Sequence, residues 1–248
     1  NLLDDPDTLH LSALMCPAHR LDVINKIKHR LANGEECRVV STQVVEAGVD
    51  LDFPCVMRAM GPLDRIVQAA GRCNREGRLD QLGEAIVFEP LEGHTPTGSY
   101  RTAMSTAKLI LDSPGCDLNS SNMFREYFNK LWMNCDTDSR KISNKRAEFD
   151  YPTVAEKFKM IQDDTVSVVV PYTDEPLKII ESIAAKSFVS RYELRRLQRY
   201  SVSLYKKEFD LHISRIEKIT DGIYLWKGEY SDKCGLVSGV SDPSDLII

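Results

Sequence analysis

No stretch of this 248-residue chain approaches the ~18 consecutive apolar residues a membrane-spanning helix needs. No positively charged segment followed by an apolar one opens it, so no secretory signal is read and no membrane partner is expected. The chain begins at Asn1 rather than Met, and an upstream part is expected to be missing. No two of its seven cysteines stand close enough for a CxxC zinc or redox pair. Their odd number and scatter fit a reducing, cytoplasmic setting. Cys37 and Cys55 are expected inside apolar strands as small hydrophobes. The five histidines are dispersed and no His-Asp pair occurs, so no metal site and no metal-dependent nuclease centre is expected. A G-x-x-x-x-G-K-[ST] phosphate loop is absent, as is an Asp-Glu metal-binding motif. Hydrolysis of a nucleoside triphosphate by this chain alone is therefore not expected. There is no internal repeat and no low-complexity tract.

An excess of positive charge is lacking too. The net charge of −5 argues against indiscriminate binding of nucleic acid by the whole surface. The basic residues are uneven, however. Lys186, Arg191, Arg195, Arg196, Arg199, Lys206 and Lys207 form a stripe interrupted by one acid, Glu193. Phe188, Tyr192, Tyr200 and Tyr205 are interleaved with it, as in grooves that hold single strands by stacking and charge. The other reading is a solvated helix face with core tyrosines. Arg195, Arg196 and Arg199 are the candidates for nucleic-acid contact.

The apolar and charged fractions, 42% and 28%, are ordinary for a globular protein, and the length suits one large domain or two small ones. The first 90 residues alternate strand and helix. Thr8 to Met15 reads as a strand, then Pro17 to Ala32 as a helix with Leu21, Ile24, Ile27 and Leu31 on one face and Gly34 beyond its end. Cys37–Ser41, Pro54–Met60 and Glu84–Phe88 read as strands, with a helix opened by Pro62 before the last. Such alternation implies a parallel sheet flanked by helices. Residues 91–100 read as a linker. Helices are expected near Arg101–Asp112 and Ser121–Met133, and a loop over Asp136–Arg146. Thr165–Pro171 reads as a strand, Glu175–Ala185 and Arg191–Tyr200 as helices, and Val202–Tyr205, Ile213–Ile219 and Gly222–Trp226 as short strands. The expected fold class is α/β: a partial RecA-like parallel sheet, a helical linker and a small mixed α/β C-terminal domain. The boundaries are 1–92, 93–150 and 151–248.

Two polar loops carry the chemistry. The first, Ser41-Thr42-Gln43-Val44-Val45-Glu46-Ala47-Gly48-Val49-Asp50, leaves a strand at its carboxyl end, where α/β sheets bind ligands. The Ser41 and Thr42 hydroxyls suit phosphate oxygens, Gly48 permits close backbone approach, and Asp50 can accept from a ribose hydroxyl or order a water. A plain strand-to-helix turn would carry the same letters. The second loop, Gln68-Ala69-Ala70-Gly71-Arg72-Cys73-Asn74-Arg75, holds two guanidiniums three residues apart. Arg72 and Arg75 are expected on one face of a helix, aimed at phosphate charge. A solvated helix with surface arginines is the competing reading.

The pair of loops resembles motifs V and VI of superfamily 2 helicases. With Asn74-Arg75-Glu76-Gly77, Gly83 to Pro90, Val45 to Phe53 and Cys16-Pro17-Ala18-His19-Arg20, the chain resembles the CRISPR-associated helicase-nuclease of type I systems. Gln68-Ala69 stands where DEAD-box RNA helicases usually carry His-Arg. The resemblance is specific over about residues 9 to 90 and looser beyond. It implies the C-terminal portion of an ATP-dependent helicase that unwinds target DNA and feeds it to a nuclease in antiviral defence. Thr42 would touch DNA, Gly48 and Asp50 would line the nucleotide cleft, and Gln68, Arg72 and Arg75 would face the phosphates. ATP and Mg²⁺ would be held mainly by an absent first lobe. The implied partners are single-stranded DNA, a CRISPR surveillance complex, and the absent nuclease domain and first lobe. The alternatives are another superfamily 2 helicase, on DNA or RNA, and a non-catalytic nucleic-acid-binding module.

Overall fold

The structure is a computed structural model that describes residues 5, 7–46, 49–91, 98–117, 120–158, 164–186 and 188–237. In chain order it contains β1 (Thr8–Leu11), α1 (Pro17–Ala32), β2 (Arg38–Ser41), β3 (Cys55–Ala59), α2 (Leu63–Ala70), β4 (Glu84–Phe88), α3 (Ser99–Leu111) and α4 (Ser121–Met133). Next come α5 (Ile142–Ala147), α6 (Tyr151–Lys157), β5 (Thr165–Val169), α7 (Asp174–Ala184), α8 (Arg191–Gln198), β6 (Ser201–Tyr205) and α9 (Lys206–Leu211). The last strands are β7 (Ile216–Thr220), β8 (Ile223–Trp226), β9 (Tyr230–Ser231) and β10 (Gly235–Leu236). No helix among the described residues is long and apolar enough to cross a membrane.

Most elements follow the sequence pattern, and the departures have local causes. In α1, Val23, Ile24, Ile27 and Leu31 pack inward, while Leu21 is left 49% exposed. The expected loop over Asp136–Arg146 contains the start of α5. The Asp138 carboxylate accepts the Ile142 and Ser143 amides at 2.7 and 3.1 Å, satisfying a helix start that shows no apolar periodicity. The strand expected from Ile213 begins as a 3₁₀ turn, Ile213–Arg215, before β7. Cys55 is exposed, against expectation, whereas Cys37, just before β2, is half-buried and packs as a small hydrophobe against the core of Leu9, Leu11 and Ile27. Burial still pushes the Cys37 thiol up.

The described residues group into two compact units, one within Asn1–Pro54, Arg72–Gly83 and Asp164–Ile247, the other within Cys55–Gly71 and Glu84–Asp163. In the first unit β1 and β2 pair in parallel, Leu11 opposite Ser41. A four-stranded mixed sheet runs in the order β6-β5-β8-β7, with β5 antiparallel to β6 and parallel to β8. Its core of Val168, Val170, Val202, Leu204 and Trp226 also takes in Cys16 and Ala18 from the start of α1. In the second unit β3 and β4 pair in parallel over Cys55–Ala59 and Glu84–Phe88. There Leu63, Ala107, Ile110, Met123 and Tyr127 form a separate core between helices. The architecture is mixed α/β with small parallel and mixed sheets, as the alternation implied.

Candidate nucleotide and nucleic-acid site

β1 and β2 end side by side, and the chain turns polar at both ends. Thr42 donates its amide to the Leu11 carbonyl at 3.0 Å, extending the pairing one step past β2. The Ser41 hydroxyl donates to the Thr42 carbonyl at 2.8 Å. The Thr42 hydroxyl, the Gln43 side-chain oxygen and the Ser12 hydroxyl are buried with no hydrogen-bond partner among the described residues. Buried polar atoms without partners are costly and uncommon. Ser12 follows directly on β1, one step beyond the Leu11–Ser41 pair. The sequence reading places it inside a strand from Thr8 to Met15; β1 stops at Leu11, and only that end puts Ser12 where α/β sheets bind ligands.

Arg72 and Arg75 are not on a helix. α2 stops at Ala70, and Gly71 caps it by donating to the Val67 carbonyl at 2.8 Å. Beyond it the chain forms a strand-like bridge: Phe53 donates to the Arg72 carbonyl at 2.9 Å and Asn74 to the Phe53 carbonyl at 2.8 Å. Asn74 then takes a left-handed backbone, φ 46°, a conformation Asn tolerates. Its side chain accepts from the Leu79 amide and donates to the Gln81 carbonyl, both at 3.1 Å. Gly83 lies so close that a Cβ there would sit 2.5 Å from the Cys73 sulfur. The bridge and turn replace the expected helical face, because backbone pairing with Phe53 outcompetes helix continuation past a glycine.

The consequence is a hydrogen-bonded junction of the two loops. The Arg72 guanidinium donates through Nε to the Val45 carbonyl at 3.1 Å and through Nη2 to the Glu46 carbonyl at 2.9 Å. It thereby satisfies the end of the 3₁₀ turn Gln43–Val45. Arg75 forms an ion pair with Asp50, both side chains partly in solvent at 43% and 66% exposure. Asp52 accepts the Arg75 amide at 2.7 Å and the Glu76 amide at 3.3 Å. Asp52, two residues after Asp50, is a second residue the sequence reading did not single out. Gln68 is exposed on α2, in the second unit. Gly48 lies outside the described residues.

The basic stripe is sorted by the structure. Arg196 is held by Glu175 through Nε at 2.9 Å and Nη2 at 2.7 Å, and Tyr200 donates to the other Glu175 oxygen at 2.7 Å. The Tyr200 bond, then Arg196, keeps the Glu175 carboxyl below its usual range. Lys186 pairs with Glu193 at 3.0 Å. Ser190 and Glu193 close a capping box at the start of α8, and its bonds, the Ser190 hydroxyl first, hold the Glu193 carboxyl down to about 2. Arg195 and Arg199 are exposed, and neither forms an ion pair among the described residues. Tyr200 is a buried core residue, whereas Tyr192 and Phe188 are 69% and 70% exposed.

One further cluster joins the start of α1 to the C-terminal strands. His19 is buried, with Nδ1 2.9 Å from the Tyr230 hydroxyl and Nε2 2.9 Å from the Asp232 carbonyl. A carbonyl only accepts, so Nε2 carries a proton and donates to Asp232. Tyr172 stacks on the imidazole at 4.4 Å and donates to Asp22 at 2.9 Å. Burial lowers the His19 pKa from 6.5, and burial followed by the Asp22 bond pushes Tyr172 up to about 12.

These loops can be set against known proteins. Residues 3–78 match the family model described as CRISPR-associated nuclease/helicase Cas3, C-terminal. A Cas3 of Haloferax volcanii is 53% identical over 49 residues, covering 20% of this chain and 5% of that protein. A Cas3 of Methanothermobacter thermautotrophicus is 23% identical over 232 residues, covering 88% of this chain. Over residues 3–78 the sequence is similar to the C-terminal part of Cas3. The chain spans 26% of the length of the Methanothermobacter Cas3. The crystal structure of T. fusca Cas3-ATP shares its fold, with a TM-score of 0.56 at 15% identity over 89% of this chain and 32% of that one. A chain of the structure titled CRISPR RNA-guided surveillance complex, pre-nicking, matches with a TM-score of 0.55 at 14% identity, over 96% of this chain and 36% of that one. The family-model match spans both polar loops, from Ser12 and Thr42 through Arg75, so the Cas3 likeness falls on the residues that build the junction.

Proposed function

We propose that this chain is the motor-coupling half of an ATP-dependent DNA helicase-translocase that feeds single-stranded DNA to a nuclease in CRISPR interference. The observation that carries the reading is the junction of the two loops: Arg72 grips the Val45 and Glu46 carbonyls while Arg75 rests on Asp50. One hydrogen-bonded junction would then bear both a strand-facing end, at Ser41, and a phosphate-facing end, at Arg75. A translocase needs that coupling, because hydrolysis at one end must move the loop at the other. The names of the relatives, nuclease/helicase Cas3 and Cas3-ATP, and the surveillance-complex match support the choice of a helicase, of ATP and of that assembly.

The residues present fit ATP in part. Arg75 is half in solvent and its partner Asp50 more so, so its guanidinium is free to exchange a carboxylate for phosphate oxygens. Bound ATP with Mg²⁺ would supply a triphosphate whose terminal phosphoryl gains charge as it transfers. This sequence holds no phosphate loop and no Asp-Glu metal-binding motif to cradle the phosphates. Arg75 would balance the developing charge, Asp50 would receive Arg75 when the phosphate leaves, and Arg72 would keep the two loops in register. Of the two hydroxyls, that of Ser41 would be offered to the strand, since that of Thr42 is buried.

The test is Arg75→Ala in the whole protein. ATP turnover should fall by about tenfold or more through lost charge stabilisation, with an unchanged melting temperature, since an exposed ion pair is worth about 0–1 kcal/mol. Near-wild-type turnover would refute the assignment.

A further inference from the structure

The arginines of α8 are not equivalent, and their differences define a site. α8 is a fixed element. Its first turn is closed by the Ser190–Glu193 capping box, and its Leu197, with Tyr200 just beyond its end, lies in the core at 3% and 4% exposure. On the outer face stands Tyr192, its ring largely in solvent at 69% exposure. One face of that ring is covered: the Arg196 guanidinium lies over it, 5.5 Å from the centroid. Arg196 is itself held by two bonds to Glu175, and Glu175 by the buried Tyr200. The chain Tyr200–Glu175–Arg196–Tyr192 therefore braces the ring from behind and leaves its other face open. A ring braced before binding gives up little conformational freedom when something stacks on it.

The charges fit the same occupant. The guanidinium of Arg196 is neutralised by Glu175, whereas Arg195 and Arg199 are exposed without an ion pair among the described residues. Tyr192, Arg195 and Arg199 are spaced three and four residues apart, so they share one strip of the helix, separated by about 4.5 and 6 Å along its axis. An exposed aromatic followed by two unpaired cations, in a chain of net charge −5, complements a flexible polyanion with stackable bases.

We propose that the outer face of α8 is a stacking platform for single-stranded nucleic acid. Tyr192 lies under one unpaired base, Arg195 and Arg199 hold the adjoining phosphates, and Arg196 is a positioning residue that acts through Tyr192. This rests on the nucleic-acid reading of the basic stripe above and assigns its parts. Stacking and phosphate contacts carry no base identity, so the platform should bind without sequence preference.

The experiment measures anisotropy of a fluorescein-labelled oligothymidylate titrated with the 248-residue chain across a salt series, after circular dichroism melting shows that each variant is folded. Tyr192→Ala should weaken binding about tenfold at every salt concentration and leave the slope of log K against log salt unchanged, because stacking releases no counterions. Tyr192→Phe should bind like wild type. The double variant Arg195→Gln with Arg199→Gln should reduce the slope by about 1.4, which is about 0.7 for each phosphate deprived of its cation. Arg196→Gln should weaken binding in parallel with Tyr192→Ala; a slope change of about 0.7 would instead make Arg196 a phosphate ligand and overturn its assignment. A duplex of the same length should compete poorly, since its bases are already stacked, and equal competition would overturn the platform. Unlabelled oligouridylate as competitor separates DNA from RNA preference, both being compatible with stacking. If Tyr192→Ala binds normally while the arginine pair lowers the slope, the platform fails and the stripe reading stands. If neither variant affects binding, both fail, and the face is a solvated surface or a protein contact.

Discussion

At the residue scale, the two arginines of the second loop have different duties. Arg72 is bound to two carbonyls and Arg75 to an exposed carboxylate. Arg72→Ala removes both donors from the end of the Gln43–Val45 turn. We expect it to lower ATP turnover in the whole protein and also to destabilise this chain by about 1–3 kcal/mol, from hydrogen bonds to a charged donor. Arg72→Lys should not restore either property, since a single ammonium cannot span two carbonyls in a fork. Thermal melting beside the ATPase assay checks this, and a melting temperature equal to that of Arg75→Ala would count against the structural duty of Arg72. The sequence named both arginines but could not divide their duties. The division depends on where the Val45 and Glu46 carbonyls point, which is a property of the folded turn.

At the element scale, α8 owes its start to one hydroxyl. Ser190 accepts from the Glu193 amide at 3.2 Å, and Glu193 accepts from the Ser190 amide at 3.0 Å and from its hydroxyl at 2.7 Å. Ser190→Ala should cost about 1 kcal/mol in chemical denaturation. The variant should also be less sensitive to acid. With its pKa held at about 2 against the ordinary 4.5, Glu193 contributes stability that is full above about pH 4.5 and lost as pH falls toward 2. Comparing denaturation of wild type and variant at two acidic pH values tests the coupling; equal losses would sever it. The Ser-x-x-Glu spacing was present in the sequence, whereas α5, started by Asp138 after a left-handed Lys141, had no such signature.

At the scale of the whole molecule, two behaviours follow. The chain alone should show no ATP hydrolysis with or without single-stranded DNA, because no phosphate loop is present; turnover by the purified chain would contradict this. The first unit should also lose stability in mild acid. Burial lowers the His19 pKa below 6.5, so as pH falls past that value the unfolded chain takes up a proton that the folded one refuses. Stability is full above about pH 7 and declines below it. Asp22 and Asp232 oppose the shift by favouring the charged ring, but burial is the larger effect. His19→Gln should flatten the dependence between about pH 7.5 and 5.5, a window above the ordinary carboxylate range. An unchanged slope would mean that another group carries it.

By itself the sequence determined the α/β class, the limits of α1, α4 and β4 and the two loops of the junction. These are local quantities: apolar period, flanking Pro and Gly, and the chemistry of short polar runs. The tertiary structure decided the rest. Arg72 and Arg75 leave the helix because Phe53, some twenty residues earlier in the chain, pairs with the backbone between them. Tyr200 became core and Tyr192 surface because α8 turns Leu197 inward against the sheet, fixing which side of every neighbour meets water. Glu175 rather than a phosphate holds Arg196 because the start of α7 lies against α8. Partners distant in the chain leave no periodic mark, so only the folded chain can assign them.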